Sequence, residues 1–371
     1  MIFYTALMIF LIFFWYFLFG FEPNQRKNIY SFVAISIMIV LVGLRHSSIG
    51  NDTGGYIRVF DNIRAAPEFS LKLTRFEPGF TVIVKVITLF FQDAQAMLFI
   101  FAAFTILTIW RMIRLNSSIE WLSIFLLFSL RFCFGYMNTV RQSLAMAIVC
   151  LAYEYVKKRK LLKFIIIMLI ATLFHTSAII FFIAYPLSFL RFRLVFFLVT
   201  LGVTGGVFLV FSPVMSFFLR IMPSYFHYSE TRYFDAFNLG NILHTLMIFA
   251  VLVLCVAIRH FYPKDPIADL EAKKTPFSSE FNESDTLLYM MLAAFCLAFL
   301  SIRASMLDRI QSYFWTFSIL ALPHAIRSVK DKSVATVVLQ ATVVVTFAYN
   351  LVILYLRPEW NIVVPYKFFW Q

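Results

Sequence analysis

The sequence predicts an all-α polytopic integral membrane protein. Of its 371 residues, 61% are hydrophobic and only 14% are charged, and the mean hydropathy is +0.84. One soluble core cannot bury that much apolar surface, so a lipid bilayer must be the solvent for most of the chain. The 47 Phe, 17 Tyr and 6 Trp residues are typical of lipid-facing and interfacial surfaces. Water-soluble enzyme folds are therefore set aside.

Apolar runs of membrane-spanning length recur along the chain, each near the roughly 20 residues that a helix needs to cross about 30 Å. Two further stretches are irregular. The stretch 79–91 is short for a membrane-spanning helix and includes Lys85. The stretch 162–190 is too long for one crossing, and we expect an interruption at His175 and Thr176. We expect about 11–13 transmembrane or re-entrant helices in a single domain, 1–371. The regular runs are 2–20, 28–44, 95–113, 119–134, 138–156, 195–212, 241–260, 286–302, 310–326 and 334–356.

The basic residues predict the topology. The net charge of +13 comes from short clusters between apolar runs, which is the pattern of the positive-inside rule and not of a nucleic-acid-binding surface. The cluster 157–160 and the polar loop 263–285 are expected in the cytoplasm. Segments 45–78 and 213–240 are then expected outside. An external position of segment 45–78 requires that residues 79–91 form a re-entrant helix, because a full crossing at 79–91 would place segment 45–78 inside.

The external segment 45–78 is dense in polar side chains. Ionisable residues at a membrane edge are costly unless they face a cavity or a partner, so each is a functional candidate. A solvated connector would be polar too, and other segments have to decide between the two interpretations. The candidates here are Arg45, Asp52, Tyr56, Arg58 and Glu77.

Candidates also lie on both sides of the predicted cytoplasmic cluster 157–160. Arg141 and Gln142 open the run 138–156 on the external side. A guanidinium there can hold a phosphate through two parallel hydrogen bonds or extend to lipid headgroups. His175 lies between apolar residues, where an imidazole suits proton transfer or serves as a hydrogen-bonded packing residue.

Two later external segments add arginines and aromatic rings. Segment 213–240 includes Arg232 and Tyr233 among several aromatic residues, which suits sugar rings or interfacial anchoring. The stretch SIRASMLDRIQSYF contains Arg303, Arg309 and Tyr313, the last two on one helix face. So many external arginines require an anionic partner or pairing with acidic residues, namely Asp52, Glu77 and Asp308.

Several motifs are absent from the sequence. It has no P-loop, G-x-G-x-x-G, H-E-x-x-H or D-x-D pattern, so an ATP-driven pump, a zinc protease and a D-x-D metal glycosyltransferase are unsupported. The four cysteines lie in or beside apolar runs without a C-x-x-C pair, which predicts buried thiols instead of disulfides or metal ligands. We expect no metal and no cofactor.

Four motifs in order carry a family resemblance: GLRHSSIGNDTGGYIRVF with FEPGF, VRQSLAMAIV before KKRK, LFHTSAII, and IRASMLDRIQSYF. With them the chain resembles the EpsG-like family of Wzy-type bacterial polysaccharide polymerases. The resemblance implies a multi-pass protein of the bacterial inner membrane with a GT-C-related architecture. It implies an enzyme that joins oligosaccharide repeat units carried on undecaprenyl pyrophosphate at the periplasmic or outer face. Implied partners are the lipid-linked donor and acceptor, the bilayer and a chain-length regulator of the Wzz type.

That chemistry assigns roles to the candidates. Positive charge that stabilises the departing pyrophosphate can replace a metal ion, and the acceptor hydroxyl needs a base. Asp52, Glu77 and His175 compete as the base, with Asp52 or His175 favoured. An O-antigen ligase-like transferase, an acyl transferase or a non-catalytic flippase stays open as an alternative. The predicted substrate-binding residues are Arg45, Tyr56, Arg58, Arg141, Gln142, Arg232, Tyr233, Arg303, Arg309 and Tyr313.

Overall fold

The computed structural model describes residues 1–68, 70–221, 239–262, 277–278 and 280–371. Over these residues the chain is all-helical, with no β-strand, as the sequence predicts. The chain divides into two compact units, which we call unit 1 (Met1–Ile179 with Lys332–Gln371) and unit 2 (Ile180–Asp331). A single transmembrane domain over 1–371 stays a prediction.

Helices follow one another along the described chain with short connections. In chain order they are α1 Ile2–Phe17, α2 Pro23–Gly43, α3 Thr53–Ala65, α4 Pro78–Phe90, α5 Ala94–Asn116, α6 Glu120–Ser129, α7 Phe132–Asn138, α8 Val140–Lys157, α9 Leu161–Thr172, α10 Ala184–Leu187, α11 Leu194–Leu209, α12 Phe211–Ile221, α13 Leu239–Phe261, α14 Glu283–Ser301, α15 Met306–Trp315, α16 Ser318–Ser328 and α17 Lys332–Leu356. Short 3-10 helices occupy Leu18–Gly20, Leu71–Leu73 and Thr176–Ile183.

Six of the described helices are long and apolar enough to cross a membrane, which identifies a multi-pass membrane protein. The bent pair α6–α7 would be a seventh crossing if it forms one span. Its two halves meet at 52° because Arg131 between them has φ 71, a left-handed conformation that interrupts a helix. The six are Ile2–Gly20, Pro23–Gly43, Ala94–Asn116, Leu239–Phe261, Glu283–Ser301 and Lys332–Leu356.

The two irregular stretches are helical in the way their sequences indicate. Residues 162–190 are interrupted, because α9 ends at Thr172 and a 3-10 helix starts at Thr176. Helix α4 has only 13 residues, fewer than a full crossing requires. Pro78 opens α4 at a position where its missing N–H is harmless. A re-entrant arrangement of α4 stays a prediction.

Helices α3, α4, α5 and α8 share a buried cluster in unit 1. Helix α3 contributes Tyr56 and Phe60, and α4 contributes Phe80 and Val84 to the same cluster. Val140, the first residue of α8, packs there as well. This packing fixes the start of α4 close to the start of α8.

The loop 44–53 is held from two sides in unit 1. The C-terminal segment runs along it, since Gly50 N–H donates to the Ile362 carbonyl at 3.1 Å and His46 N–H to the Lys367 carbonyl at 3.0 Å. On the other side, a Cβ on Gly50 would lie 2.5 Å from the Met137 carbonyl oxygen. Gly50 also has φ 85, which favours glycine. The loop is thereby fixed against the residues that lead into α8.

In unit 2, α13 and α14 are antiparallel neighbours. Near the start of α13, the Asn241 side-chain amide donates to the Ser301 carbonyl at 3.1 Å. Near its end, Arg259 Nε donates to Asp285 at 3.0 Å. Because Ser301 ends α14 and Asp285 lies in its first turn, the two helices must run in opposite directions.

Candidate functional site

The carboxylate of Glu77 is the centre of a partly buried ionic cluster in unit 1. One oxygen accepts a hydrogen bond from Arg141 Nη1. The other oxygen accepts from His175 Nδ1 at 3.0 Å and from the Thr176 N–H at 3.2 Å. The side chains of Glu77, Arg141 and His175 are only 14, 19 and 18% exposed. We call these three residues the Glu77 cluster.

Gly79 explains how the polypeptide brings Glu77 to His175. Its N–H donates to the Leu173 carbonyl at 2.9 Å, and a Cβ on Gly79 would lie 2.7 Å from that oxygen. Any other residue would therefore push α4 away from the interruption that follows α9. The motifs FEPGF and LFHTSAII meet through this contact, although the sequence predicts only that each is important.

The surroundings of Arg141 are compatible with an anion-binding group. Its guanidinium lies 3.8 Å from the centre of the Phe76 ring, a cation–π geometry. Its Nε is buried and has no hydrogen-bond partner among the described residues. Arg141 is also the second residue of α8, where the helix dipole adds positive potential. An anion at this point would satisfy the unpaired donor.

The electrostatics of Glu77 suit a residue that orients His175 better than a base. Burial raises the pKa of Glu77, but the hydrogen bond from His175 and the charge of Arg141 outweigh that effect and lower it to about 2. Glu77 is therefore ionised throughout the neutral range and is a weak base. Since a carboxylate only accepts hydrogen bonds, His175 Nδ1 donates, and Nε2 is the acceptor of the neutral ring. A carboxylate-held imidazole of this kind can take a proton from a hydroxyl.

The other sequence-predicted residues near the start of α3 differ in exposure. Arg45 is 1% exposed. Its guanidinium donates hydrogen bonds to the Val42 carbonyl and to Thr53 Oγ1, the latter at 3.3 Å. Burial lowers the pKa of Arg45 to about 10. Such internal bonding suits a residue that holds the loop 44–53. By contrast, Asp52 is half-exposed and Arg58 is exposed.

Tyr56 and Gln142 are buried beside the Glu77 cluster. The Tyr56 side chain packs against Phe76, with ring centres 5.9 Å apart, and burial raises its pKa. Gln142 follows Arg141 in α8 and is 4% exposed. Tyr56 thus packs against the same ring that supports Arg141.

The remaining sequence-predicted candidates belong to unit 2 or are not described. Arg303 lies between the rings of Phe208 and Phe211, 5.7 Å from the centre of each. Arg309 is exposed on α15, whereas Tyr313 is fully buried. Arg232 and Tyr233 fall in 222–238, outside the described residues, as does most of the loop 263–285. Among the described side chains, no group of three His, Cys, Asp or Glu could share a metal ion.

Sequence reasoning misses two features. One is Phe76, the aromatic support of Arg141, although it directly precedes Glu77 in FEPGF. The other is His244 of α13, whose Nδ1 donates to Asp308 at 3.1 Å in unit 2. The position of Phe76 beside the glutamate of FEPGF is a sequence signal that could have indicated its role. No sequence pattern links His244 to Asp308, which are 64 residues apart.

The fold and the site together define a multi-pass α-helical membrane protein with a partly buried histidine–carboxylate–arginine cluster. A family model described as the EpsG family matches residues 28–368. The chain belongs to the EpsG family. Membership of this family supports the interpretation of the chain as a polymerase-like membrane protein of bacterial polysaccharide biosynthesis. No curated protein and no solved structure matches the chain.

Proposed function

We propose that this protein is a Wzy-type polysaccharide polymerase. It joins oligosaccharide repeat units carried on undecaprenyl pyrophosphate, at the periplasmic or outer face of the bacterial cytoplasmic membrane. The observation that carries the proposal is the Glu77 cluster, in which one carboxylate holds both an imidazole and a guanidinium. Membership of the EpsG family supports the same class of reaction.

His175 is the proposed base. Its Nε2 takes the proton of the acceptor sugar hydroxyl while the hydroxyl oxygen bonds to the anomeric carbon of the donor. The bond between that carbon and the pyrophosphate oxygen breaks, and the electron pair leaves with the pyrophosphate. Glu77 remains ionised and stabilises the imidazolium that forms. General base catalysis of this kind contributes about 10²–10⁴-fold to a rate.

Arg141 is the proposed partner of the leaving pyrophosphate. Its Nε is a buried donor with no partner in the described part of the chain, and the first turn of α8 adds partial positive charge. Pre-positioned positive charge stabilises the leaving group most when negative charge develops on it. Arg303 and Arg309 of unit 2 stay in the proposal as further pyrophosphate-binding residues.

The product of the purified, full-length protein tests the proposal. With lipid-linked repeat units as the only substrate, we expect a ladder of products that grow by one repeat unit at a time. A cell lacking the protein should cap its lipid with single repeat units on the outer side. A single transfer to a different acceptor would identify a ligase-like transferase. Single units that accumulate inside the deletion cell would identify a flippase.

The external position of segment 45–78 has its own test. Ser48 is exposed in the loop 44–53. The native thiols Cys133, Cys150 and Cys255 are buried and Cys296 is partly exposed, so both variants are made with Cys296→Ser. In intact cells, a Ser48→Cys variant should react with a membrane-impermeant maleimide. Lys160→Cys, exposed in the predicted cytoplasmic cluster, is the matched control and should react only after lysis. Protection of Ser48→Cys in intact cells would contradict the proposed side.

A further inference from the structure

An exposed arginine lies beside the Glu77 cluster, and the proposed mechanism does not use it. Arg75 precedes Glu77 by two residues and is exposed. Its guanidinium carbon lies 5.9 Å from the centre of the Phe76 ring, and the guanidinium carbon of Arg141 lies 3.8 Å from the same point. The two guanidinium carbons are therefore no farther apart than these two distances added together.

The polypeptide is fixed on both sides of Arg75. The preceding residue, Thr74, has its Oγ1 2.9 Å from Thr81 Oγ1 of α4, and the same Thr74 oxygen accepts a hydrogen bond from the Phe76 N–H at 3.1 Å. The Phe76 ring in turn stands edge-on to the Phe80 ring of α4, with centres 5.6 Å apart. The backbone that carries Arg75 is thus held against α4, as a binding residue needs to be.

The charge of Arg75 is available to a ligand. Its guanidinium has no hydrogen-bond or ion-pair partner among the described residues, whereas Arg141 is paired with Glu77. Arg75 is exposed and the Arg141 side chain is 19% exposed, so an anion from solution can reach both. Two guanidinium groups beside one ring repel each other, and a bound anion would offset that repulsion.

A diphosphate suits this pair of arginines better than a monophosphate does. A guanidinium binds a phosphoryl group through parallel, charge-assisted hydrogen bonds. A diphosphate supplies two phosphoryl groups joined by one oxygen, so each guanidinium can bind one of them. A monophosphate supplies only one group, for which the two guanidinium groups would compete. The pair is therefore able to discriminate between the two kinds of anion.

We propose that Arg75 and Arg141 together bind the two phosphoryl groups of the donor, and that Arg75 selects a diphosphate-linked donor over a monophosphate-linked one. The identity of the ligand as a lipid-linked donor rests on the proposed function. Arg75 binds the donor equally well before and during bond cleavage. Its loss therefore raises KM and leaves kcat nearly unchanged, in contrast to the loss of Arg141.

Inorganic pyrophosphate and orthophosphate are the probes for this selection. Their Kd values are measured by calorimetry on the full-length protein in nanodiscs of phosphatidylcholine, a lipid without net charge. Arg75→Gln keeps a polar side chain and removes the charge. We expect it to weaken pyrophosphate binding about tenfold, which corresponds to about 1.4 kcal/mol, and to weaken orthophosphate binding much less. KM for the lipid-linked repeat unit should rise by a similar factor.

Two further variants separate a specific site from general positive charge. Lys72→Gln is the matched control, because Lys72 is an exposed cation three residues before Arg75, and it should leave both Kd values unchanged. Arg75→Lys keeps the charge but lacks the planar guanidinium. Its affinity for pyrophosphate should therefore lie between those of the wild type and Arg75→Gln.

Direct binding separates this inference from the proposed function, since calorimetry needs no turnover. Weaker pyrophosphate binding in Arg75→Gln but not in Lys72→Gln supports the site even if the protein makes no polymer. If Arg75→Gln folds and binds both probes as the wild type does, the inference is overturned even if the protein is a polymerase. An equal loss of affinity for both probes, or the same loss in Lys72→Gln, would also overturn it.

Discussion

Replacement of Arg141 by alanine is expected to slow chain elongation severely, with kcat lower by about 10²–10³-fold. The variant loses the guanidinium proposed to bind the leaving pyrophosphate. It also removes the arginine partner of the partly buried Glu77 carboxylate, which keeps the hydrogen bonds from His175 and the Thr176 N–H. Removal of one partner from a fully buried ion pair costs about 3–5 kcal/mol of stability, and the cost should be smaller for this partly exposed pair. Initial rates with lipid-linked repeat units, at matched amounts of folded protein, measure the effect.

Arg141→Lys separates catalysis from folding. Lysine keeps the charge next to Glu77, and the protein should therefore fold. It lacks the planar guanidinium that lies on Phe76 and presents several donors at once, so the rate should fall between those of wild type and alanine. Arg64→Ala is the matched control, because Arg64 is an exposed arginine of α3 outside the Glu77 cluster. Normal polysaccharide length in Arg141→Ala cells with normal protein levels would contradict the role.

Replacement of His175 by alanine should lower kcat by about 10²–10⁴-fold, the usual contribution of a general base. Donor binding should persist, because Arg141 and its ion pair with Glu77 remain. Turnover and donor Kd, measured on the same purified preparation, separate the two effects. The control is His46→Ala, a histidine of unit 1 that lies outside the Glu77 cluster and hydrogen-bonds Ser48.

Variants of the two acidic candidates, Glu77 and Asp52, test whether His175 is the base. Glu77→Gln keeps the shape of the side chain but removes the charge that stabilises the His175 imidazolium, so turnover should fall. A loss of turnover in Asp52→Asn while His175→Ala stays active would transfer the base role to Asp52. Normal turnover in all three variants would rule out the whole set.

Some parts of the site could be predicted from short stretches of sequence. The length of the run 162–190 predicts the interruption near His175, and α4 begins and ends within one residue of the predicted 79–91. Both are local properties of chain length, polarity and proline position. The pairing of Glu77 with His175, 98 residues apart, is not local, and the sequence leaves three bases open.

Two arginines show why charge in a sequence does not reveal its environment. The sequence presents Arg45 in a polar external segment, yet the side chain is buried on Thr53 and Val42. Arg131 occurs in an apolar run that predicts one straight helix. In the structure it lies at the bend and donates to Asn350 at 3.0 Å and Asn361 at 3.1 Å. In both cases, distant residues supply the acceptors.

The sequence determined the class of this protein. Composition and the lengths of apolar runs sum over the chain, so they predict an all-α membrane protein without any knowledge of packing, and the order of four motifs predicts the EpsG family. The tertiary structure decided which charges share a site. Glu77 reaches His175 only because Gly79 allows α4 to approach the Leu173 carbonyl, and it reaches Arg141 because α3, α4 and α8 pack on one core. Contacts of this kind depend on how helices pack, which residue spacing does not contain.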